Sequence, residues 1–285
     1  MGTLVTLCVW YMNRHRIPFA AAILGTVALV TRQFPGTVYT VGVSLLAQVA
    51  WTALWSFGMV TSMFYAEGAV GYVVYLFFLL SLYWTSEVIR NTAHVTVSGT
   101  FGTWYFMGGN NQNLPSNPTL KSAKRALTTS FGSICFGSLL VALIQTVRAI
   151  LRSLARQNND NAVAMILVCI IDCILGCIES LVRYFNKYAY VQVALYGKSF
   201  CTAAKDTWRL AQSVGFDAII NDSFINSVLG IAQISGFLIT GLLGALIGAA
   251  MTGTQVVSEN ADYTWLVFAI LGGLVGLIVL STGMA

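Results

Sequence analysis

The chain has 285 residues, of which 57% are hydrophobic and 9% are Asp, Glu, Lys or Arg, with a formal net charge of +5. A soluble globular domain has about 25% charged residues, so this composition excludes an ordinary soluble fold. It equally excludes a disordered or collagen-like chain. The basic residues lie mostly in short clusters beside apolar runs, where they indicate contacts with the lipid bilayer and its anionic headgroups rather than with nucleic acid.

The apolar runs predict an all-α polytopic transmembrane helix bundle, a single domain over residues 1–285, with interfacial amphipathic helices. Residues 1–12 are apolar but shorter than the roughly 20 residues that a crossing takes, so they indicate a partial span. Residues 17–33 are bounded by proline and basic residues, which favours a helix lying in the membrane interface. The remaining predictions are spans at about 37–64, 67–106, 121–154, 162–195 and 219–251, an interfacial helix at 197–214, and a second partial span at 263–285.

The segment 67–106 is too long for a simple crossing. As one helix it measures about 60 Å, twice the thickness of the hydrocarbon layer. It therefore tilts steeply, projects from the membrane or breaks. Gly99 and Gly102 mark the predicted break and hinge, because two glycines in Ser-Gly-Thr-Phe-Gly release backbone groups inside the bilayer.

The distribution of Lys and Arg predicts the orientation of the spans. With Arg14 and Arg16 in the cytoplasm, alternating spans place ten basic residues on the cytoplasmic side. Three remain on the other side, namely Arg148, Arg152 and Arg156. The count supports this orientation, and the three arginines are exceptions to it.

One candidate site lies on the segment 67–106. Positions seven apart differ by about 20° around a helix, so Trp84, Asn91 and Tyr105 share a face, with Glu87 beside them. Ionisable groups inside a span usually face a bundle interior or a water-filled cavity. A carboxylate combined with aromatic faces suits a cation, particularly a quaternary ammonium. The predicted substrate-binding residues are Trp84, Glu87, Asn91, Trp104 and Tyr105.

This stripe and a second one each have a structural alternative. Glu87 is also placed to pair with Arg90 at i+3 while the aromatic residues merely pack. The second stripe contains Asp172, Glu179 and Arg183, seven and four apart on one helical face. It predicts either a relay or wall for a cation, or an ion-pair network between helices near the cytoplasmic face.

Motifs of soluble enzymes are absent from the sequence. There are two histidines, no HExxH, and six cysteines without a CxxC pair. The sequence therefore predicts no catalytic residues, no metal site and no cofactor, so we expect that the protein is not an enzyme.

Several motifs resemble those of the choline transporter-like family. Residues 179–190, ESLVRYFNKYAY, and 199–206, SFCTAAKD, are similar to the family signature. Residues 99–106, GTFGTWYF, and 131–138, FGSICFGS, match the family pattern in the same order. The resemblance covers essentially the whole chain and is closest to the fungal and protist branch.

This resemblance implies a ten-span carrier of the plasma membrane, with both ends in the cytoplasm, that moves choline or a related organic cation. Family members extend beyond both ends of this chain, so we expect a fragment with five complete and two partial spans. Asn186 and Tyr190 fall in the family signature and become candidates for a cytoplasmic gate, with Asp172 and Glu179 as further gate or relay residues. The residues leave open choline, ethanolamine or a larger cation as substrate, and leave the oligomeric state open. The alternative from another class is a non-transporting membrane scaffold or lipid-interaction protein that uses its glycine ridges for packing.

Overall fold

The computed structural model describes residues 17–65, 68–107, 115–157, 162–214, 216–253 and Ile270. Within these ranges the ordered elements are helices and no strand occurs, which confirms the all-α class. The helices of these ranges are α1 (Ile17–Gln33), α2 (Gly36–Tyr65), α3 (Gly68–Phe106), α4 (Pro118–Leu127), α5 (Phe131–Gln157), α6 (Ala162–Tyr196), α7 (Phe200–Val214) and α8 (Phe216–Gly253). The predicted partial spans 1–12 and 263–285 lie outside the described residues, apart from Ile270.

The chain forms two compact units. One contains Met1–Gln33 and Val214–Ala285, and in it α1 lies against α8. The other contains Phe34–Ser213, in which α2 to α7 pack together. Helices α1, α2 and α6 begin and end within one residue of the predicted segments, because long apolar runs define helix length well. Whether the chain acts as one transmembrane domain stays a prediction.

Four helices of the second unit are long and apolar enough to cross a membrane: Gly36–Ser62 in α2, Val70–Phe106 in α3, Phe131–Ser153 in α5 and Met165–Tyr196 in α6. Large apolar side chains such as Leu46 and Phe57 point away from the packed interior. Such a surface is stable against lipid and unstable against water. The α5 segment is 33% buried and the other three are 0–6% buried, so α5 is the most buried of the four, while α3 packs against α2, α4, α5 and α6.

The span predicted at about 121–154 is wrong as a single helix. Thr128 and Ser130 both donate their backbone N–H to the carbonyl oxygen of Arg125, at 3.3 and 3.0 Å, and this closes α4. The hydroxyl groups of Thr128 and Thr129 bond to preceding carbonyl oxygens as well. Backbone hydrogen bonds at residues 128–130 thus form a turn, which separates the short α4 from the long α5 that begins at Phe131.

The break predicted at Gly99 and Gly102 is also wrong, because α3 is continuous over 39 residues. Both glycines serve close packing instead. A Cβ atom on Gly99 would lie 2.9 Å from Oγ of Ser122 in α4, and one on Gly102 would overlap the side chain of Leu195 in α6. At 1.5 Å per residue α3 is about 58 Å long. It therefore tilts or extends beyond the hydrocarbon layer.

Candidate functional site

A series of ion pairs joins α3 to α6. Glu87 is only 5% exposed and accepts hydrogen bonds from Arg90 at 2.6 Å and from Arg183 at 2.7 Å. Arg183 also donates to Glu179, one turn before it on α6, at 3.0 Å. One guanidinium group of α6 is therefore shared by a carboxylate of α3 and a carboxylate of its own helix.

The series continues into α5. Arg148 pairs with Glu179 and, at 2.9 Å, with Asp172. Arg152 pairs with Asp172 at 2.9 Å. The series, here called the ion-pair chain, consists of Arg90, Glu87, Arg183, Glu179, Arg148, Asp172 and Arg152. Its four arginines and three carboxylates give a net charge of +1, and each carboxylate has at least two arginine partners. Such pairing makes charges inside a helix bundle tolerable.

A hydrogen-bonded cluster lies next to the ion-pair chain. The amide of Asn91 in α3 donates to Oγ of Ser138 in α5 at 2.9 Å, and the Tyr190 hydroxyl lies 3.4 Å from both groups. The Tyr190 hydroxyl donates to the backbone oxygen of Ile134, and Asn186 donates to the backbone oxygen of Gly137 at 3.1 Å. The side chains of this polar cluster, which we define as Asn91, Ser138, Asn186 and Tyr190, are all buried.

Helical spacing brings these groups together. On α3, Glu87 and Asn91 are four apart and so point the same way. Along α6 the members are separated by seven, four, three and four residues: Asp172, Glu179, Arg183, Asn186 and Tyr190. On α5 the separations are seven, three and four: Ser138, Gln145, Arg148 and Arg152. Three polar stripes thus meet at one interface, where Gln145 also donates to Glu179 at 3.1 Å.

Six of the predicted site residues lie in this interface: Glu87, Asn91, Asp172, Glu179, Asn186 and Tyr190. The ion pair between Glu87 and Arg90, expected as an alternative, is present, and so is the network around Arg183. The counter-charge, relay and gate roles stay predictions. Sequence reasoning missed the α5 stripe, although its spacing was visible, because Arg148 and Arg152 were assigned only to a side of the membrane.

The aromatic residues of the predicted cation site do not lie close together. Trp84 lies one turn from Glu87 and donates from Nε1 to the backbone oxygen of Cys135 at 3.0 Å. Trp104 and Tyr105, however, lie about 25 Å farther along the unbroken helix than Glu87. Tyr105 is 72% exposed and contacts the ring of Phe106. The grouping of all five residues around one cation is therefore wrong, because residues that share one face of a long unbroken helix can still lie far apart along it.

In the part of the chain that the structure describes, no group of three or more His, Cys, Asp or Glu residues is arranged to hold a metal ion. The carboxylates of the interface are instead paired with arginine. The chemistry that this arrangement offers is therefore the exchange of ion-pair and hydrogen-bond partners between helices.

Replacing Tyr190 with phenylalanine tests the polar cluster. The change removes the hydroxyl group that lies between α3, α5 and α6, and we expect a loss of about 1–2 kcal/mol in the free energy of unfolding. Unfolding of the full-length protein in detergent is the measurement. The same change at the exposed Tyr105 is the matched control and should cost less than about 0.5 kcal/mol. Equal effects at both positions would contradict the assigned role of the cluster.

The whole chain is similar to known proteins. A family model described as "Plasma-membrane choline transporter" matches residues 1–285. The chain belongs to this family. A CTL-like protein of Dictyostelium discoideum is 41% identical over 235 residues, covering 82% of this chain and 42% of the relative. Protein PNS1 of Candida albicans is 38% identical over 304 residues, covering 98% and 58%, and Protein PNS1 of Mycosarcoma maydis is 37% identical over 299 residues, covering 98% and 54%.

These relatives confirm the resemblance to fungal and protist members of the choline transporter-like family. The chain spans about half the length of the curated relatives that it matches. Family membership and the four candidate crossing helices together make it a multi-pass membrane protein.

Proposed function

We propose that the full-length protein carries choline or a related organic cation across the plasma membrane. The observation that supports this most strongly is the match of the family model over residues 1–285. The interior of the second unit is consistent with it, since buried ionisable groups in membrane-crossing helices commonly mark transport paths. The experiments below determine which organic cation is carried.

In this proposal the cation passes along the interface of α3, α5 and α6. Glu87 supplies the negative charge and Trp84, one turn away, supplies an aromatic face. Glu87 already pairs with two arginines, and the ion-pair chain carries a net positive charge. While these pairs are intact, the ion-pair chain therefore does not attract a cation. The cation replaces Arg183 at Glu87, while Arg183 keeps its second partner, Glu179. Binding is thereby linked to a change in the contact between α3 and α6.

Uptake of labelled choline into liposomes that contain the full-length protein tests the function. We expect saturable uptake above protein-free liposomes, and labelled ethanolamine and labelled thiamine, tested in the same way, distinguish the cations. If correctly folded protein gives no uptake of any of these cations, carrier function is contradicted and the alternative of a non-transporting membrane scaffold is favoured.

Replacing Glu87 with glutamine tests its role as counter-charge. We expect choline uptake at low concentration to fall about tenfold or more, since each 1.4 kcal/mol of lost binding energy lowers affinity tenfold. Asp206→Asn on α7 is the matched control, because it removes one carboxylate outside the ion-pair chain and should leave uptake within about twofold of wild type. Melting temperatures of both variants verify folding. Full uptake by a folded Glu87→Gln protein would remove Glu87 from the cation path.

A further inference from the structure

Helices α4 and α7 cover the same end of the second unit. Ala126 of α4 and both Phe200 and Ala203 of α7 belong to one buried apolar cluster, together with Val95 of α3 and with Val193 near the end of α6. Each helix thus has one face anchored on the bundle. Neither helix is among those long and apolar enough to cross a membrane, so both lie where crossing helices end.

The outward faces of the two helices are basic and apolar in alternation. On α4, Lys121 and Lys124 are exposed three residues apart. Leu120 and Leu127, seven apart, form an exposed apolar strip beside them. This pattern of basic and apolar side chains on one helix is typical of helices that lie in the membrane interface.

Helix α7 repeats the pattern. Lys205 and Arg209 are exposed four residues apart, on the side of α7 opposite the buried Phe200 and Ala203. Trp208 is exposed next to them and packs one edge of its ring against Phe185 of α6. Tryptophan is enriched at membrane interfaces because its ring is apolar and its N–H is polar.

The charge on this end of the unit is almost all of one sign. Residues 118–127 and 198–214 contain six basic residues and one acidic residue, Asp206. Lys198 donates to Asp206 at 2.7 Å and lowers the pKa of that carboxyl below its usual range. Asp206 thus stays ionised and neutralises Lys198, and Arg209 lies 3.9 Å from the same carboxylate. The pairing leaves a strong positive excess on the outward faces.

We propose that α4 and α7 together bind the phosphate-bearing headgroups of anionic phospholipids. The ammonium groups of Lys121, Lys124 and Lys205 and the guanidinium group of Arg209 contact the headgroups. Leu120, Leu127 and Trp208 enter the boundary of the acyl chains. Basic residues near an anionic membrane surface each strengthen binding about fivefold, so four of them suffice for a clear preference over zwitterionic lipid.

The experiment measures lipid binding to the full-length protein in an uncharged detergent. Native mass spectrometry follows the occupancy of short-chain phosphatidylserine and of phosphatidylcholine with the same acyl chains. We expect wild type to prefer phosphatidylserine. In the variant Lys121→Gln/Lys124→Gln/Lys205→Gln/Arg209→Gln, the affinity for phosphatidylserine should fall about tenfold or more, while that for phosphatidylcholine stays unchanged. The four side chains are exposed, so the variant should keep its melting temperature.

Two controls make the outcome specific. A charge-conserving variant, with the three lysines changed to arginine and Arg209→Lys, should retain the preference. Arg32→Gln, on α1 in the other unit, should retain it too. Equal binding of both lipids by wild type, or an undiminished preference in the glutamine variant, would overturn the proposal. So would displacement of phosphatidylserine by inorganic phosphate at equal concentration, which would indicate a site for a small anion.

Discussion

Replacing Arg183 with glutamine is expected to lower the free energy of unfolding of the full-length protein by about 3–5 kcal/mol. Arg183 lies between Glu87 and Glu179, at 2.7 and 3.0 Å. Its removal leaves the 5% exposed Glu87 with Arg90 alone, whose side chain is about half exposed. A buried carboxylate that loses a partner keeps its full desolvation penalty. Unfolding by a denaturing detergent, followed by circular dichroism, is the measurement.

The matched control is Arg152→Gln in the same ion-pair chain. The Arg152 side chain is 55% exposed, and its partner Asp172 keeps Arg148 at 2.9 Å. Exposed ion pairs contribute little, so this change should cost less than about 1 kcal/mol. Adding Glu87→Gln to the Arg183→Gln protein should recover part of the loss, because the two residues interact directly. Losses of equal size at Arg183 and Arg152 would show that the burial of an ion pair does not determine how much it contributes to the free energy of unfolding.

Replacing Gly137 with alanine is expected to destabilise the protein by about 1–3 kcal/mol and to lower choline uptake. A Cβ atom at this position of α5 would overlap the ring of Phe200 and the hydroxyl group of Tyr190. Both rings are buried and pack on each other with centroids 5.6 Å apart, so neither has free space to move into. The displaced Tyr190 hydroxyl would also lose its contacts with Asn91 and Ser138.

Gly132→Ala is the control on the same helix. Apart from its chain neighbours and the backbone of its own helix, no atom lies within 4 Å of a Cβ atom built on Gly132, and alanine favours a helix over glycine. This variant should be as stable as wild type or slightly more stable, with unchanged uptake. If Gly137→Ala behaved like Gly132→Ala, the close packing of α5 against Phe200 and Tyr190 would not limit the stability of the bundle.

The all-α class, the bounds of α2 and α6 and the polar stripe of α6 could be predicted because each depends on local information. A long apolar run determines the length of a helix, and separations of three, four and seven residues determine its faces. The division between α4 and α5 depends on a turn at residues 128–130, where the backbone N–H groups of Thr128 and Ser130 share the carbonyl oxygen of Arg125. The average hydropathy of the surrounding sequence does not reveal this turn.

The candidate site was harder to predict because tertiary packing brings its residues together from separate helices. Glu87 and Arg183 are 96 residues apart in the sequence, and no periodicity relates them. The glycines of α3 have two opposite uses in helices, as breaks and as contact points. The distinction between these uses requires the partner side chains, here Ser122 and Leu195. Tyr105 shares a helical face with Trp84 and Asn91, but a shared face does not bring it close to Glu87 along the unbroken helix.

The arginines that opposed the predicted orientation have a structural explanation. Arg148 and Arg152 both pair with Asp172 of α6, so they form ion pairs between α5 and α6. The positive-inside rule counts basic residues that interact with the membrane surface. Two of the three exceptions therefore have partners within the protein, and the orientation of the spans stays a prediction.

The sharing of Arg183 between two helices limits how α3 and α6 can slide along each other. Glu87 and Asn91 are one turn apart on α3, and Arg183, Asn186 and Tyr190 follow at similar steps on α6. A shift of one full turn, about 5.4 Å, would bring Glu87 to the level of Asn186 in one direction and of Glu179, a like charge, in the other. The interface therefore favours a few discrete relative positions of α3 and α6 over continuous sliding.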